Sequence, residues 1–275
     1  MKTVNLDITH KCTLQCSGCN RQVKDYKYER KEITLEEFSK ICDYFEKVIL
    51  CGQVSDPIFH TNFVEILKMA HDKNVFVEVH TAASHRSEYQ YEQFFKANTN
   101  AKWYFGIDGL PQDSHKYRIG QDGEYLFSIM ILAKNMGLDV VWQYIIFDYN
   151  KDDVFEAAIQ AKGYGLKFDT VQSTRRKDVN QEYNFIPKCI EGTKEIGHTT
   201  SGFLLPCCWS DYYKSQIPEL TKEHLKLERV NTIEEILDSH EWSGFKEKLK
   251  SDPPEYCKMY CGYKKTTEHM EINFE

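Results

Sequence analysis

The chain has 275 residues, 41% of them hydrophobic and 13% aromatic, enough for one large α/β domain plus a smaller appendage. Its net charge of −7 gives no global basic field to hold a polyphosphate backbone, so nucleic acid is demoted as a substrate. No run of about eighteen apolar residues is present to span a bilayer, and Met1-Lys2-Thr3 leads into a strand instead of a signal peptide, so a cytoplasmic protein is expected. Ten cysteines in a reducing compartment argue for metal over disulfides, and eight of them gather in two groups, at 12 to 19 and at 189 to 261.

Val4 to His10 reads as the first strand, and directly after it come Cys12, Cys16 and Cys19 at C-x3-C-x2-C spacing. A structural zinc site is closed by four protein ligands, and a 4Fe-4S cluster also normally takes four thiolates. Three thiols within eight residues leave one coordination position to a distant residue or to a small molecule. A zinc knuckle or a redox Cys-x-x-Cys is the competing reading.

Thr34 and Glu37 form a capping box for a helix in which Leu35, Phe38, Ile41, Cys42 and Phe45 recur at helical spacing, making Cys42 a core residue. Val48 to Cys51 is a strand buried on both faces, broken by the turn Gly52-Gln53-Val54-Ser55-Asp56-Pro57 and followed by a helix carrying Phe63, Ile66, Leu67 and Ala70. Val75 to His80 is the third strand, ending in Thr81-Ala82-Ala83-Ser84, with His80 read as a hydrogen-bonded strand-end residue. Trp103 to Gly109 holds the fourth strand and its exit, with Asp108 at the C-terminal end where barrel enzymes place working residues. A helix from Tyr125 to Met136 leads to the fifth strand, Val140 to Phe147. Asn150 then caps a helix marked by Val154, Ala157, Ala158 and Ala161, and Phe168 to Gln172 is the sixth strand.

Strict βα alternation implies parallel strands joined by right-handed crossovers. Six units fall short of a closed eight-fold barrel, so the expected fold is α/β, a partial (β/α)6 barrel over residues 1–180 with its polar candidates at the C-terminal strand ends. Residues 181–275 form a small cysteine-rich α+β extension. In it, Cys189 precedes a hairpin from Ile196 to Leu205, then Cys207-Cys208, a helical segment from Thr232 to Lys250, and Cys257 and Cys261. A four-cysteine zinc ribbon is the competing reading of this group.

The first cysteine group, with its preceding strand and the following Asn20-Arg21, resembles the radical S-adenosylmethionine (SAM) enzymes, in which the open iron of a 4Fe-4S cluster chelates the amino and carboxylate groups of SAM. The resemblance implies that Cys12, Cys16 and Cys19 are cluster ligands. Gly18 stands where the family usually has an aromatic residue. The turn after strand two resembles the family's Gly-Gly-Glu-Pro turn, so Gly52 allows close approach while Gln53 or Asp56 meets the SAM ammonium. Thr81 and Ser84 stand where Thr-Asn-Gly is common. Ile107-Asp108-Gly109 and the downstream Arg118 match a further pattern, with Gly106 in place of Ser. Arg118 pairs with either the SAM carboxylate or Asp108. Gln143 and Asn150 match positions that contact ribose or methionine, although a strand glutamine and a helix cap are their simpler readings.

Cys189, twelve residues, Gly202, four residues and Cys207 resemble the family's C-terminal SPASM and twitch extensions, which bind auxiliary 4Fe-4S clusters. Five cysteines imply one such cluster, held by Cys189, Cys207, Cys257 and Cys261, with Cys208 a packed neighbour or an alternative to Cys207. The expected activity is reductive cleavage of SAM to a 5′-deoxyadenosyl radical and a net oxidation of a peptide or small molecule. SAM is consumed, and a flavodoxin or ferredoxin serves as electron donor. The competing function is a non-catalytic zinc protein with two cysteine sites used for binding.

Overall fold

The computed structural model describes residues 2–22, 31–172, 189 and 196–257. Six parallel strands alternate with five helices: β1 (Thr3–Leu6), α1 (Leu35–Tyr44), β2 (Lys47–Leu50), α2 (Phe63–Asp72), β3 (Phe76–Thr81), α3 (Glu88–Ala97), β4 (Lys102–Gly106), α4 (Gly123–Asn135), β5 (Asp139–Ile146), α5 (Val154–Gly163) and β6 (Lys167–Gln172). Beyond them lie β7 (Ile196–His198), β8 (Leu204–Leu205), α6 (Ile233–Leu237) and α7 (His240–Ser251). The sheet runs β6-β5-β4-β3-β2-β1-β7-β8, an open and mostly parallel arc as expected for a partial barrel.

The hairpin expected from Ile196 to Leu205 forms, but it joins the main sheet. β7 runs parallel to β1, with Leu6 opposite His198, and β8 turns back antiparallel on β7. An uncovered β1 edge would present unpaired backbone groups, which β7 satisfies. Gly197 is needed there, because a Cβ would come within 2.7 Å of the Cys207 carbonyl.

Alternation within the strands divides the molecule. Val4, Leu6, Val48, Leu50, Val77, Val79, Trp103, Phe105, Trp142 and Tyr144 face the helices and join one core with Phe38, Ile66, Phe95 and Ile129. Trp103 and Trp142 are fully buried, each contributing about 4–6 kcal/mol at ~25 cal/mol per Å² of apolar surface. On the opposite, concave face, Asn5, Glu78, His80, Lys102, Tyr104, Gln143 and Asp169 are only partly buried. Cys42 is a core residue of α1, and the Thr34–Glu37 capping box is present.

Three local expectations shift. The first strand leaves the sheet after Leu6 because the Asp7 side chain turns to bind the loop after β2. The C-terminal helical segment is two helices, since Ser239 accepts from the backbone of Trp242 and starts α7 afresh. The residue at the N-cap of α5 is Asp153, not Asn150. Among the described residues no helix is long and apolar enough to cross a membrane.

Candidate functional site

The cysteine loop follows β1 and is tied down from several directions. Arg21 donates to the carbonyls of Cys12 (3.0 Å) and Leu14, the Cys19 N–H donates to the Cys16 carbonyl at 3.0 Å, and the Gln15 N–H donates to the Ile119 carbonyl at 2.9 Å. Glu32 accepts from Thr9 and Thr61 and pairs with Lys11 at 3.1 Å, anchoring the approach to α1. Cys12, Cys16 and Cys19 are all partly exposed, and no disulfide joins any of the nine described cysteines. Burial pushes the Cys12 thiol up to about 12, with Asp56 adding to the effect, and burial also raises Cys16, which Arg118 opposes. Among the described residues no three His, Cys, Asp or Glu side chains are already gathered closely enough to hold a metal ion, so the three thiols share one loop without converging. Their chemistry nevertheless fits an iron–sulfur cluster, being three soft donors in one short loop that a bound metal would deprotonate.

The turn after β2 is built around two buried carboxylates. A Cβ on Gly52 would collide with the Ser55 hydroxyl and carbonyl, so only glycine closes this turn. Asp7 accepts from the backbone N–H groups of Gln53 (3.1 Å) and Val54 (3.3 Å) and from the Ser55 hydroxyl. Burial pushes its carboxyl up to about 7. Sequence reasoning passes over Asp7, because an acidic residue in an alternating strand reads as a solvent-facing position. Asp56, 4% exposed, accepts from the Thr81 hydroxyl (2.9 Å) and from the N–H groups of Ala82 (2.8 Å), Ala83 (3.1 Å) and Ile58 (3.3 Å). Asp56 and Thr81, both expected to meet SAM, are thus partners of each other. The donors around the Asp56 carboxylate come from the protein, and it lashes the β2 exit to the β3 exit.

At the exits of β4 and β5, Asp108 is fully buried. Its carboxylate meets the Arg118 Nε at 2.7 Å and the Ile145 N–H at 2.8 Å. Its backbone N–H donates to Ser114, and Tyr149 donates to its carbonyl. Arg118 thus pairs with Asp108, one of the two partners open to it. Gly106 makes room for this, since a Cβ there would stand 2.6 Å from Arg118 Nη2. Gln143 faces the concave side as the polar partner of His80, whose ring stacks on Tyr104 at 4.3 Å and is driven by burial down to about 4. Asn150 is buried and closes the loop after β5, accepting from the Phe147 N–H at 2.7 Å and donating to the Ile145 carbonyl at 3.0 Å. Ser84 accepts from the Asp122 N–H at the start of α4.

In the C-terminal segment Cys207 lies 3.4 Å from the Ser210 hydroxyl, which bonds Tyr256 at 2.9 Å, and Cys257 is buried beside Tyr256. Cys51, just past β2 and only partly buried, is a thiol pushed up to about 12, first by desolvation and then by Cys208, and sequence reasoning treats it only as part of the strand. Cys189 packs partly buried against the core, and Cys261 lies outside the described residues.

A model of the Radical SAM superfamily matches residues 6–161. No curated protein sequence matches the chain. Among solved structures, Streptococcus suis SuiB bound to precursor peptide SuiA superposes with a TM-score of 0.68 at 8% identity, covering 89% of this chain and 66% of that one. SuiB bound to S-adenosylmethionine gives 0.64 at 10% identity, covering 89% of this chain and 67% of that one. Native anSMEcpe with bound AdoMet gives 0.62 at 10% identity, covering 89% and 82%. The chain therefore spans about two thirds of the length of SuiB, and at these identities the likeness is one of fold.

Proposed function

We infer, because this chain belongs to the Radical SAM superfamily, that it reductively cleaves S-adenosylmethionine and directs the resulting radical to a net oxidation of a peptide or small molecule. The observation that carries this reading is convergence on the cysteine loop. Asp56 from the β2 exit acts on Cys12, Arg118 and Asp108 from beyond β4 act on Cys16, and the Gln15–Ile119 hydrogen bond locks the two sides together.

Cys12, Cys16 and Cys19 would hold a 4Fe-4S cluster with one iron open to SAM. When bound, that cluster supplies the electron that cleaves SAM and yields the hydrogen-abstracting 5′-deoxyadenosyl radical. Asp7 and Asp56 keep the Gly52–Asp56 turn in place beside it, so its backbone and Gln53 receive the ammonium. Asp108 fixes Arg118. Gln143, with His80 and Tyr104, lines the concave face below the loop, and Thr81 and Asn150 hold the strand exits in shape. We assign Cys189, Cys207, Cys257 and Cys261 to an auxiliary 4Fe-4S cluster in a SPASM- or twitch-like segment over residues 181–275, which follows a barrel over 1–180. The association of both Cys207 and Cys257 with Tyr256 supports this, and Cys208 is left out of the ligand set as a packed neighbour. SuiB has been solved with a precursor peptide, which favours a peptide substrate here. A flavodoxin or ferredoxin is the natural electron donor in the cytoplasm.

The test is anaerobic reconstitution with iron and sulfide, followed by incubation with SAM and dithionite. The reading requires 5′-deoxyadenosine and, once a substrate is in hand, one 5′-deoxyadenosine per product. Catalytic recycling of SAM would overturn the oxidation, and zinc in place of iron at both cysteine groups would return the protein to the class of non-catalytic zinc proteins.

A further inference from the structure

We propose that the cavity between the start of α1 and the β7–β8 turn is a subsite for an unbranched primary ammonium group of the substrate, as on a lysine side chain. Its attribution to the substrate rests on the reading above of this sheet face as the active one. The ammonium site itself stands on its own lining.

The segment that opens α1 contributes Glu32 and Glu37 to the wall, the turn after β7 contributes His198 and Thr200, and Lys31 and Glu228 also line it. Both sides are tied to the exit of β1. The Ile33 N–H donates to the Ile8 carbonyl at 3.0 Å, and the Asp7 N–H donates to the His198 carbonyl at 3.3 Å. The Thr9 hydroxyl donates to Glu32 at 2.8 Å and accepts from the N–H of Lys11 at 3.2 Å, so the wall shares one hydrogen-bonded strip with the residue before Cys12. The cavity therefore flanks the cysteine loop on the side of the C-terminal segment.

The lining itself points to the ligand. Thr200 and His198 are only 5% and 6% exposed, yet Thr200 Oγ1 and His198 Nδ1 are buried with no hydrogen-bond partner, a demand that the chain itself does not meet. The volume, about 20 Å³, admits one water-sized group and excludes a ring or a branched cation. Charge then selects among such groups. Glu32 is matched by Lys11 at 3.1 Å, which leaves Glu37 and Glu228 facing the single ammonium of Lys31. Arg229, 3.8 Å from Glu228, is shared with Glu223 at 3.4 Å. His198 adds no charge near neutral pH, because burial drives it down to about 4, and an imidazole protonated on Nε2 offers Nδ1 as an acceptor. A primary ammonium supplies three donors and one positive charge to this set of acceptors. A metal ion fits less well, since among the described residues no three His, Cys, Asp or Glu side chains are gathered closely enough to hold one. Glu228, with 42% of its side chain exposed, marks the rim through which an alkyl chain would leave.

The experiment is a ligand-observed NMR titration of the full-length protein near neutral pH with n-butylammonium, Nα-acetyl-lysine methylamide, alanine methylamide, n-butanol and tetramethylammonium. The first two should bind. The neutral alcohol, the bulky cation and the α-amine on a branched carbon should not. Thr200→Val should weaken n-butylammonium about tenfold, the scale for one hydrogen bond to a charged group, without lowering the melting temperature, because a methyl replaces a hydroxyl that has no partner in the chain. Glu228→Gln, at the exposed rim, should weaken it about threefold. Failure of the wild type to bind either lysine-like amine would overturn the proposal, as would equal binding of n-butanol or of alanine methylamide. A Thr200→Val protein that melts lower and binds the amine as well as the wild type would mean a structural water only, which also overturns it. If Thr200→Val does not fold, Glu228→Gln decides, and unchanged affinity there counts against the site. The titration needs neither iron nor SAM, so formation of 5′-deoxyadenosine by the reconstituted protein reports separately on the radical SAM reading.

Discussion

Asp56 and Asp108 stand in comparable places, just past the C-terminal ends of β2 and β4, and both are almost completely buried. Their surroundings give them different work. Asp56 is surrounded by neutral donors of its own chain, three backbone N–H groups and the Thr81 hydroxyl, and serves to join two strand exits. Asp108 meets a full positive charge, and through Arg118 its influence reaches the cysteine loop. A carboxylate at a strand's C-terminal end is therefore a marker of the active face of such a sheet, while the donors around it decide whether it builds the face or acts across it.

The comparison breaks most visibly if either carboxylate is removed. Asp108→Ala leaves Arg118 uncompensated in a buried site and should lower unfolding free energy by about 3–5 kcal/mol. Asp56→Ala leaves neutral donors unsatisfied and should cost about 2–4 kcal/mol. Urea denaturation of the two variants checks both, and equal losses below ~1 kcal/mol would mean that water replaces the protein partners. Asp56→Ala should also weaken SAM binding through the displaced turn, which isothermal titration of the reconstituted protein would register.

The third carboxylate of this face sharpens the contrast through pH. Burial pushes Asp7 from 3.8 up to about 7, so between those values the folded protein holds a proton that the unfolded chain has released. Stability from this group is present below about pH 4, is lost as pH rises towards 7, and is flat above it. The partly buried His80 and the buried His198, both driven down to about 4, act in the opposite direction between about pH 4 and 6.5. The difference between wild type and Asp7→Asn isolates the Asp7 contribution. From pH 4 to 7 the wild type should lose more stability than the variant, by a few kcal/mol, since a proton held only in the folded state changes the balance by about 1.36 kcal/mol for each step in pH. Parallel curves would show that Asp7 is ionised throughout. The smallest effect expected is for Asn150→Ala, which removes two hydrogen bonds of the β5 exit loop and should cost about 1–2 kcal/mol by the same denaturation measurement.

The arc of parallel strands was legible because short apolar or alternating runs are separated by helical patterns, the first of them opened by the capping box at Thr34 and Glu37. The cysteine spacing was equally plain, since it is local. The partners of the polar residues were not. Nothing in the order of residues says that Asp56 reaches Thr81 or that Asp7 reaches across to Gln53 and Val54, because each depends on how neighbouring strands are placed in space. Arg118 was open between two partners for the same reason, and the missing side chain of Gly106 reads as a departure when it is the space the guanidinium occupies. The addition of β7 to the β1 edge was hidden because the hairpin lies far along the chain and pairs with its start.

The central claim is that Cys12, Cys16 and Cys19 alone hold the SAM-cleaving centre, apart from the C-terminal cysteines. The direct measurement is iron, sulfide and 5′-deoxyadenosine in anaerobically reconstituted wild type and in the variant with all three replaced by Ala. The variant should lose about four irons per chain and all 5′-deoxyadenosine while keeping the iron of the C-terminal group. A variant that still cleaves SAM, or one that loses no iron, would contradict it.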